Sequence, residues 1–225
     1  MTAHPAVPRD AAMADIREML IVHRVFRREF AALPGAVRGV AVGDRTRARI
    51  VAGHARLIME GLHLHHSGED VELWPLLERR VQTRADVTAR MEAQHGELAA
   101  LVTEVGRLLP DWVESAAHPE PLAEVLESLQ AVLLVHLGDE EAEILPLVTE
   151  HVTAGEWARL GEHARRGMRP AELPLMFGAV LEECDASERA MLVATLPFPL
   201  RLLVRPVIEP VYRRYIAKVR AEVLQ

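Results

Sequence analysis

The chain has little cysteine, few aromatic side chains and no excess of positive charge. Cys184 is the only cysteine among 225 residues. Neither an intramolecular disulfide nor a thiolate metal cluster can therefore form, which is typical of a protein from a reducing compartment. We expect a cytoplasmic protein, and any metal site in it must use nitrogen and oxygen ligands.

The charge balance excludes some partners. A formal net charge of −7 disfavours nucleic acid and anionic membrane, because both attract concentrated Lys and Arg. The first residues, Met1 to Pro5, show no basic region followed by an apolar run, and we expect no later stretch to be long and uncharged enough to cross a bilayer. A chain that is half apolar and only 4% aromatic suits one helical domain, with or without an extension.

Four stretches of the sequence carry apolar residues at helical spacing. Short connections between such helices favour antiparallel neighbours, so we predict an all-α fold with an up-down-up-down four-helix bundle over residues 10–150. Residues 151–225 are predicted to form a helical C-terminal extension packed on the bundle. The predicted helices run from Met13 to Phe30, from about Asp44 to Leu76, from about Ala85 to Leu109, and from Leu122 to Leu147.

Prolines and capping residues predict where helices begin and end. Leu33-Pro34-Gly35 and Pro110 are expected to end the first and third helices, because proline removes a backbone donor. Pro75 is expected to bend the second helix or to start a new turn in it. Asp10 is the predicted cap of the first helix, and Asp185-Ala186-Ser187-Glu188 is typical of a capping box.

An H-x-x-x-E motif occurs twice and is the most informative pattern. His65 and Glu69 form the first copy, His136 and Glu140 form the second, and each glutamate is followed six residues later by a proline. A step of four residues in a helix places the imidazole and the carboxylate on one face, one turn apart. Each pair can therefore hold one metal ion.

Burial explains why such a set of side chains needs a metal. His23 and His95 lie in the apolar seams of the other two helices, so all four seams carry histidine. A glutamate in an apolar seam without partners costs several kcal/mol or stays protonated. Imidazole and carboxylate ligands together suit iron, manganese or zinc. The alternative, satisfied core histidines and exposed glutamates, is disfavoured by the two matched copies.

With these residues the sequence resembles the hemerythrin-like, or HHE cation-binding, proteins over about residues 13–150. The resemblance implies a four-helix bundle around two non-haem iron ions with an oxo or hydroxo bridge; manganese or zinc is less favoured. Such centres bind or react with dioxygen, hydrogen peroxide or nitric oxide, so these small molecules are the expected partners. The resemblance implies bridging by Glu69 and Glu140 and terminal ligation by His23, His65, His95 and His136.

One position departs from the oxygen carriers of this family. They have two histidines four residues apart on the third helix, and here the earlier position is Met91, whose thioether is a poor ligand for ferric iron. One ion lacks a nitrogen ligand unless His66, Glu92 or His54 supplies it. We therefore expect the chemistry on the side where the histidine is missing.

Two functions follow as hypotheses. An open coordination position favours reaction over reversible carriage, which predicts an oxidoreductase that consumes peroxide or nitric oxide. The alternative is an oxygen- or iron-sensing module without turnover that signals through the C-terminal helices. An iron store or a purely structural bundle is the least favoured, because carboxylates point inward.

Other titratable residues have open roles. His66 forms a second four-residue pair with Asp70, rotated by about 100° from His65, and is a candidate seventh ligand or a support for one. His54 lies about 16 Å from His65 along the helix axis, which favours a structural or access-channel role. The histidines expected at the surface are His4, His63, His118, His151 and His163.

Supporting residues can be proposed for the site and for the extension. Metal-bound imidazoles require acceptors for their second N–H group, and Glu72, Glu141 and Glu143 are the candidates. A charged run, Arg27-Arg28-Glu29, either lines an access path or is a solvated face. In the extension, Arg213, Arg214, Lys218 and Arg220 lie where a helix dipole favours cations.

Overall fold

The described part of the computed structural model, residues 11–81 and 85–221, is helical and contains no β-strand. This confirms the all-α prediction. Asp10 and His4 lie outside the described residues. The helices of the first part are α1 (Arg17–Arg38), α2 (Arg45–Gly68), α3 (Trp74–Arg80), α4 (Ala85–Ser115), α5 (Glu120–Asp139) and α6 (Leu145–His151).

The four long helices α1, α2, α4 and α5 share one core. Helix α1 packs against α5 and α2, and α4 packs against the same two helices. Phe26, Ile58, Leu98 and Leu129 come from the four helices in turn, and all lie in one buried apolar cluster. The seams predicted from periodicity therefore face one another, while the up-down-up-down order remains a prediction.

Two predicted helix ends are wrong, because α1 and α4 each continue past a proline. Helix α1 runs through Pro34 to Arg38, and α4 runs through Pro110 to Ser115. A proline inside a helix costs about 3 kcal/mol. Here Val37 and Trp112, beyond each proline, are buried in the core, and their burial offsets that cost. The chain instead leaves α4 at a residue with a φ of 45°, Ala116.

Each motif is followed by a π-helical turn. The N–H group of Trp74 bonds the carbonyl of Glu69, five residues back, across the segment Glu69–Leu73. Pro75 comes next, has no N–H group and would clash with the carbonyl four residues earlier, so a wider turn relieves both problems. Pro75 thus starts a new helical segment, as predicted. The same geometry recurs in Glu140–Ile144 before Pro146, and in Val204–Ile208 before Pro210.

Three helices after residue 151 pack on the long helices or on one another. Helix α7 (Ala154–Gly167) contacts α2, α8 (Leu173–Glu183) contacts α1, and α11 (Glu209–Arg220) contacts both α8 and α2. Gly178 lies so close to Tyr212 that a Cβ atom there would collide with it. The capping box predicted at Asp185 and Glu188 is confirmed. The other bounds are α9 (Ala186–Thr195) and α10 (Phe198–Leu203).

The helical run Glu120–His151 is long and apolar enough, by length and composition, to cross a membrane. The expectation that no stretch meets this test was therefore wrong. The core helix of a soluble protein passes the same test. This run supplies Leu122, Leu126 and Leu133 to the core shared by the four helices, which accounts for its apolar character.

A buried polar network joins the bundle to α11. His54 Nδ1 lies 2.9 Å from the Tyr215 hydroxyl, and His54 Nε2 lies 3.0 Å from Glu29 Oε2. Glu29 Oε1 also accepts hydrogen bonds from Arg28 at 2.7 Å and from Arg220 at 3.3 Å. His54 is thus structural, as favoured from the sequence, and Glu29 binds neighbouring helices instead of lining an access path.

Replacing Glu29 by glutamine should destabilise the protein by about 1–3 kcal/mol near neutral pH. Burial raises the pKa of Glu29, but the contacts with His54 and Arg28 outweigh it and lower the pKa from 4.5 to about 2. Because the folded pKa lies below the unfolded one, this stabilisation is complete above pH 4.5 and is lost as the pH falls to about 2. Urea unfolding of both proteins at several pH values measures it. If the difference in free energy of unfolding between wild type and Glu29→Gln did not narrow in acid, the charge of Glu29 would not be the source of the stabilisation.

Candidate metal centre

Two groups of buried histidines and glutamates lie between the packed helices. Within each group the candidate ligand atoms all lie within 4.8 Å of one another. One group offers three imidazoles and a carboxylate, and the other offers two imidazoles and a carboxylate. The first group is His66, Glu69, His95 and His136; the second is His23, His65 and Glu140.

The carboxylate of Glu69 connects the two groups. Its Oε1 atom lies 3.2 Å from His65 Nε2, and its Oε2 atom lies 3.3 Å from His95 Nε2. His65 belongs to one group and His95 to the other. This is the arrangement that a bridging carboxylate between two ions requires.

Glu140 makes the equivalent connection from α5. Its Oε2 atom lies 3.2 Å from His23 Nε2 and 3.9 Å from His136 Nε2. These histidines again belong to different groups. All six residues predicted from the sequence are thus brought together, with the two motif glutamates between the two sets of histidines.

The ligand atoms of this cluster are buried and have no hydrogen-bond partner in the described structure. This holds for the Nε2 atoms of five histidines and for both carboxylate oxygens of Glu69 and Glu140. An orphaned buried polar atom costs about 1–3 kcal/mol, and more when it is charged. Cations placed between these atoms would satisfy all of them, so the residues fit a metal pair. The five histidines are His23, His65, His66, His95 and His136.

Hydrogen bonds with side chains around the cluster fix the orientation of three of the histidines. In each, the Nδ1 atom lies against an acceptor, which selects the tautomer that leaves Nε2 free for a metal. The distances are 2.8 Å from His23 to Glu141, 2.7 Å from His95 to Asp70 and 3.1 Å from His136 to Gln94.

Only one of the three predicted acceptors is used in this way. Glu141 supports His23 and is itself held by Arg27, whose Nη1 donates at 2.7 Å. Glu143 pairs with Arg90, which lies on α4, and Glu72 lines an open groove beside α7. The four-residue spacing paired Asp70 with His66, whereas the structure places Asp70 against His95 of another helix, and no spacing singles out Gln94.

The electrostatics of the site divide the five imidazoles. Burial disfavours the charged form of His23 and His95, but Glu140 beside His23 and Asp70 beside His95 outweigh it and raise the pKa of both histidines to about 9. The other three behave differently. Burial lowers the pKa of His65 to about 3 and that of His136 to about 4, and it takes the pKa of His66 well below 6.5. Neutral imidazole is the form that binds metal. Burial and the facing Glu140 raise the pKa of Glu69, so the two carboxylates resist being charged together without cations.

His66 lies where it could supply the nitrogen ligand missing at Met91. The His66 ring stacks on the His95 ring at 4.1 Å between centroids, and its Nε2 atom points into the first group. His54 is instead engaged with Glu29, and Glu92 lies in the lining of a groove. With His66 included, the group with fewer nitrogens is that of His23 and His65. This moves the expected open position away from the His95 side.

An open groove of about 1010 Å³ between α2 and α4 reaches His66 and His95. Charged side chains of both signs line it, among them Arg56, Glu60 and Arg169. The groove provides a route from solvent to the edge of the cluster.

The outer histidines only partly follow expectation. His63 and His118 are exposed, as predicted. His163 is half-buried and its Nε2 atom lies 3.0 Å from Ser67 Oγ, because α7 packs on α2. His163, like His151, is therefore only partly at the surface.

Comparison with known families agrees with this geometry. The sequence model described as the hemerythrin HHE cation binding domain matches residues 14–148. Curated proteins and solved structures gave no match. The matched region exceeds half of the chain and contains every residue of the two groups. The chain therefore belongs to the hemerythrin HHE cation-binding domain family.

Proposed function

We propose that this protein holds two non-haem iron ions and uses them to bind and turn over a small oxidant: hydrogen peroxide, nitric oxide or dioxygen. The observation that carries the proposal is the buried cluster of five histidines and two glutamates whose ligand atoms have no other partner. Imidazole-rich ligand sets favour iron over manganese, and zinc has no redox chemistry.

The roles of the residues follow from their positions. His66, His95 and His136 would hold one ion, His23 and His65 would hold the other, and Glu69 and Glu140 would contact both. Bound iron would supply electron exchange with the oxidant at a Lewis-acidic position. The chain itself orients the imidazoles, and burial keeps those of His65, His66 and His136 neutral.

Apolar side chains beside the cluster keep water out. The Phe26 ring packs on His65 with 5.3 Å between centroids, and the Trp74 ring lies 5.7 Å from that of His95. Both aromatic residues are almost fully buried. In such a dry site the fixed carboxylates and imidazoles interact more strongly with bound cations than they would in water.

Peroxide consumption by the iron-loaded protein tests the proposal. We expect Glu140→Ala to lose at least about tenfold in rate and to bind less iron, since it removes a carboxylate that both ions share. Glu150→Ala, which changes an exposed glutamate of the same helical run, is the matched control. Iron analysis comes first: wild-type protein well below two ions per chain after loading would rule out the iron pair, and equal rates in both variants would rule out turnover at this site.

Filling the groove should slow access without changing the metal content. Gly96 lines the groove beside His95, and a Cβ there would meet nothing within 4 Å, so a Gly96→Leu side chain has room. Gly138, two residues after His136, also has open space and lies outside the groove lining, so Gly138→Leu is the control. Stopped-flow azide binding to the iron-loaded proteins should be several-fold slower in the first variant alone. Equal rates would show that small ligands enter elsewhere.

A sensing role is the second candidate, and one observation favours it. The His54 network ties the core helices α1 and α2 to α11, so a change in bundle stiffness on metal binding would reach the C-terminal helices. Hydrogen exchange of α11 with and without iron tests this role. Protection that is independent of iron would contradict it.

A further inference from the structure

Helix α10 is a short apolar segment with no buried residue. Four of its six residues are large and apolar, and the exposed fraction is 70% for Phe198 and 62% for Leu202. Its main contacts are with the π-helical turn that follows it. An apolar helix left this open normally marks an interaction surface. Its exposed apolar side chains are those of Phe198, Leu200, Leu202 and Leu203.

The apolar surface continues into α11. Val207 and Val211 are exposed beyond α10, whereas Val204 and Tyr212 turn inward and anchor the segment. We call the outward side of residues 198–214 the α10–α11 face. The inner side of this segment packs on the protein, and the α10–α11 face lies in solvent.

Basic side chains accompany the exposed apolar ones. Arg205, Arg213 and Arg214 are exposed, and no ion-pair partner is found for them among residues 11–81 and 85–221. Two neighbouring arginines behave differently, since Arg189 pairs with Glu209 and Arg220 pairs with Glu182. The α10–α11 face therefore combines apolar side chains with positive charge that is not neutralised.

We propose that the α10–α11 face binds an anionic lipid surface. Exposed Phe and Leu side chains flanked by arginines are the composition of helices that lie in a membrane interface, with the apolar residues in the acyl boundary and the cations at the headgroups. A second copy of the chain fits less well, because a two-fold contact joins the same patch of both copies, and the only acidic residue of 198–214, Glu209, is already paired with Arg189.

The net charge of −7 does not oppose this assignment. Charges farther away than about 10 Å are largely screened at physiological salt, so the local basic face decides the interaction. Our expectation that anionic membrane is disfavoured rested on the net charge of the whole chain. The fold instead leaves unpaired cations and apolar residues exposed together within residues 198–214, and Val211 and Arg214, three residues apart, lie on one side of α11.

Vesicle flotation of the full chain tests the assignment. We expect binding to vesicles of equimolar phosphatidylglycerol and phosphatidylcholine, roughly tenfold weaker binding to phosphatidylcholine alone, and weakening by salt. Phe198→Ser/Leu202→Ser and Arg213→Glu/Arg214→Glu should each lower binding roughly tenfold. The matched control is Val42→Ser/Leu134→Ser, which removes two exposed apolar side chains elsewhere and should leave binding unchanged.

Three results would overturn the assignment. The first is that wild-type protein does not float with the vesicles although its helical circular dichroism is unchanged. The second is that the control variant loses as much vesicle binding as the test variants. The third is a concentration-dependent dimer that Phe198→Ser/Leu202→Ser dissociates. The last result would identify the face as a self-association surface. None of these readouts depends on iron.

Discussion

Replacing Glu69 and Glu140 together by glutamine should stabilise the metal-free protein and abolish binding of the iron pair. The two carboxylates are fully buried, and their oxygens have no hydrogen-bond partner in the described structure. Without cations, burial and the charge of Glu140 raise the pKa of Glu69 to about 8, so placing the two carboxylates together opposes folding, and glutamine keeps the shape while removing the charge. We expect the metal-free variant to gain about 1–3 kcal/mol.

The iron-loaded protein should respond in the opposite direction. Ligand binding to the folded state raises stability by mass action, and the variant loses that contribution because both bridging groups are gone. Thermal unfolding in chelator and in excess iron, together with metal analysis, measures both effects. Glu150→Gln, which changes an exposed glutamate outside the cluster, is the control. Destabilisation under both conditions would mean that the glutamates are ordinary structural residues.

Replacing His66 by alanine should weaken binding of one ion and leave the other largely in place. His66 is one of three imidazoles in its group, and loss of even an outer-shell partner costs about 10–100-fold in metal affinity. Loss of a ligand itself should cost at least as much, so iron content should fall towards one ion per chain. Titration with ferrous iron under anaerobic conditions measures it.

The same helix supplies the control for this prediction. His63→Ala changes an exposed histidine that lines the groove and is absent from both ligand groups, so its iron content should match wild type. Unchanged iron binding in His66→Ala would mean that His66 is not a ligand and that the six residues predicted from the sequence form the site. Met91→His in the His66→Ala background then tests whether the third helix can supply the missing nitrogen, since Met91 lies one turn from His95.

The helices and the faces that they bury were predictable because their signals are local. A four-residue step fixes the relative position of His65 and Glu69 whatever surrounds them. The apolar seams predicted which sides of the four helices meet, and the shared core confirms this. Pro75 changes the backbone within a few residues, so its new helical segment was also predictable.

The helix ends at Pro34 and Pro110 were not predictable in the same way. A proline disfavours helix by its own chemistry, but burial of Val37 and Trp112 beyond it decides the outcome. Burial is a property of the whole fold. The same holds for His163, which is half-buried only because α7 packs on α2.

The helical class, the repeated motif, the inward-facing histidines and glutamates, and the family resemblance follow from the amino-acid sequence, because helical periodicity and ligand spacing involve neighbouring residues. Packing between helices was needed to bring His66 into the cluster, to set Asp70 and Gln94 against His95 and His136, and to leave α10 uncovered. Each of these depends on distances between residues on different helices, which packing of the whole chain sets.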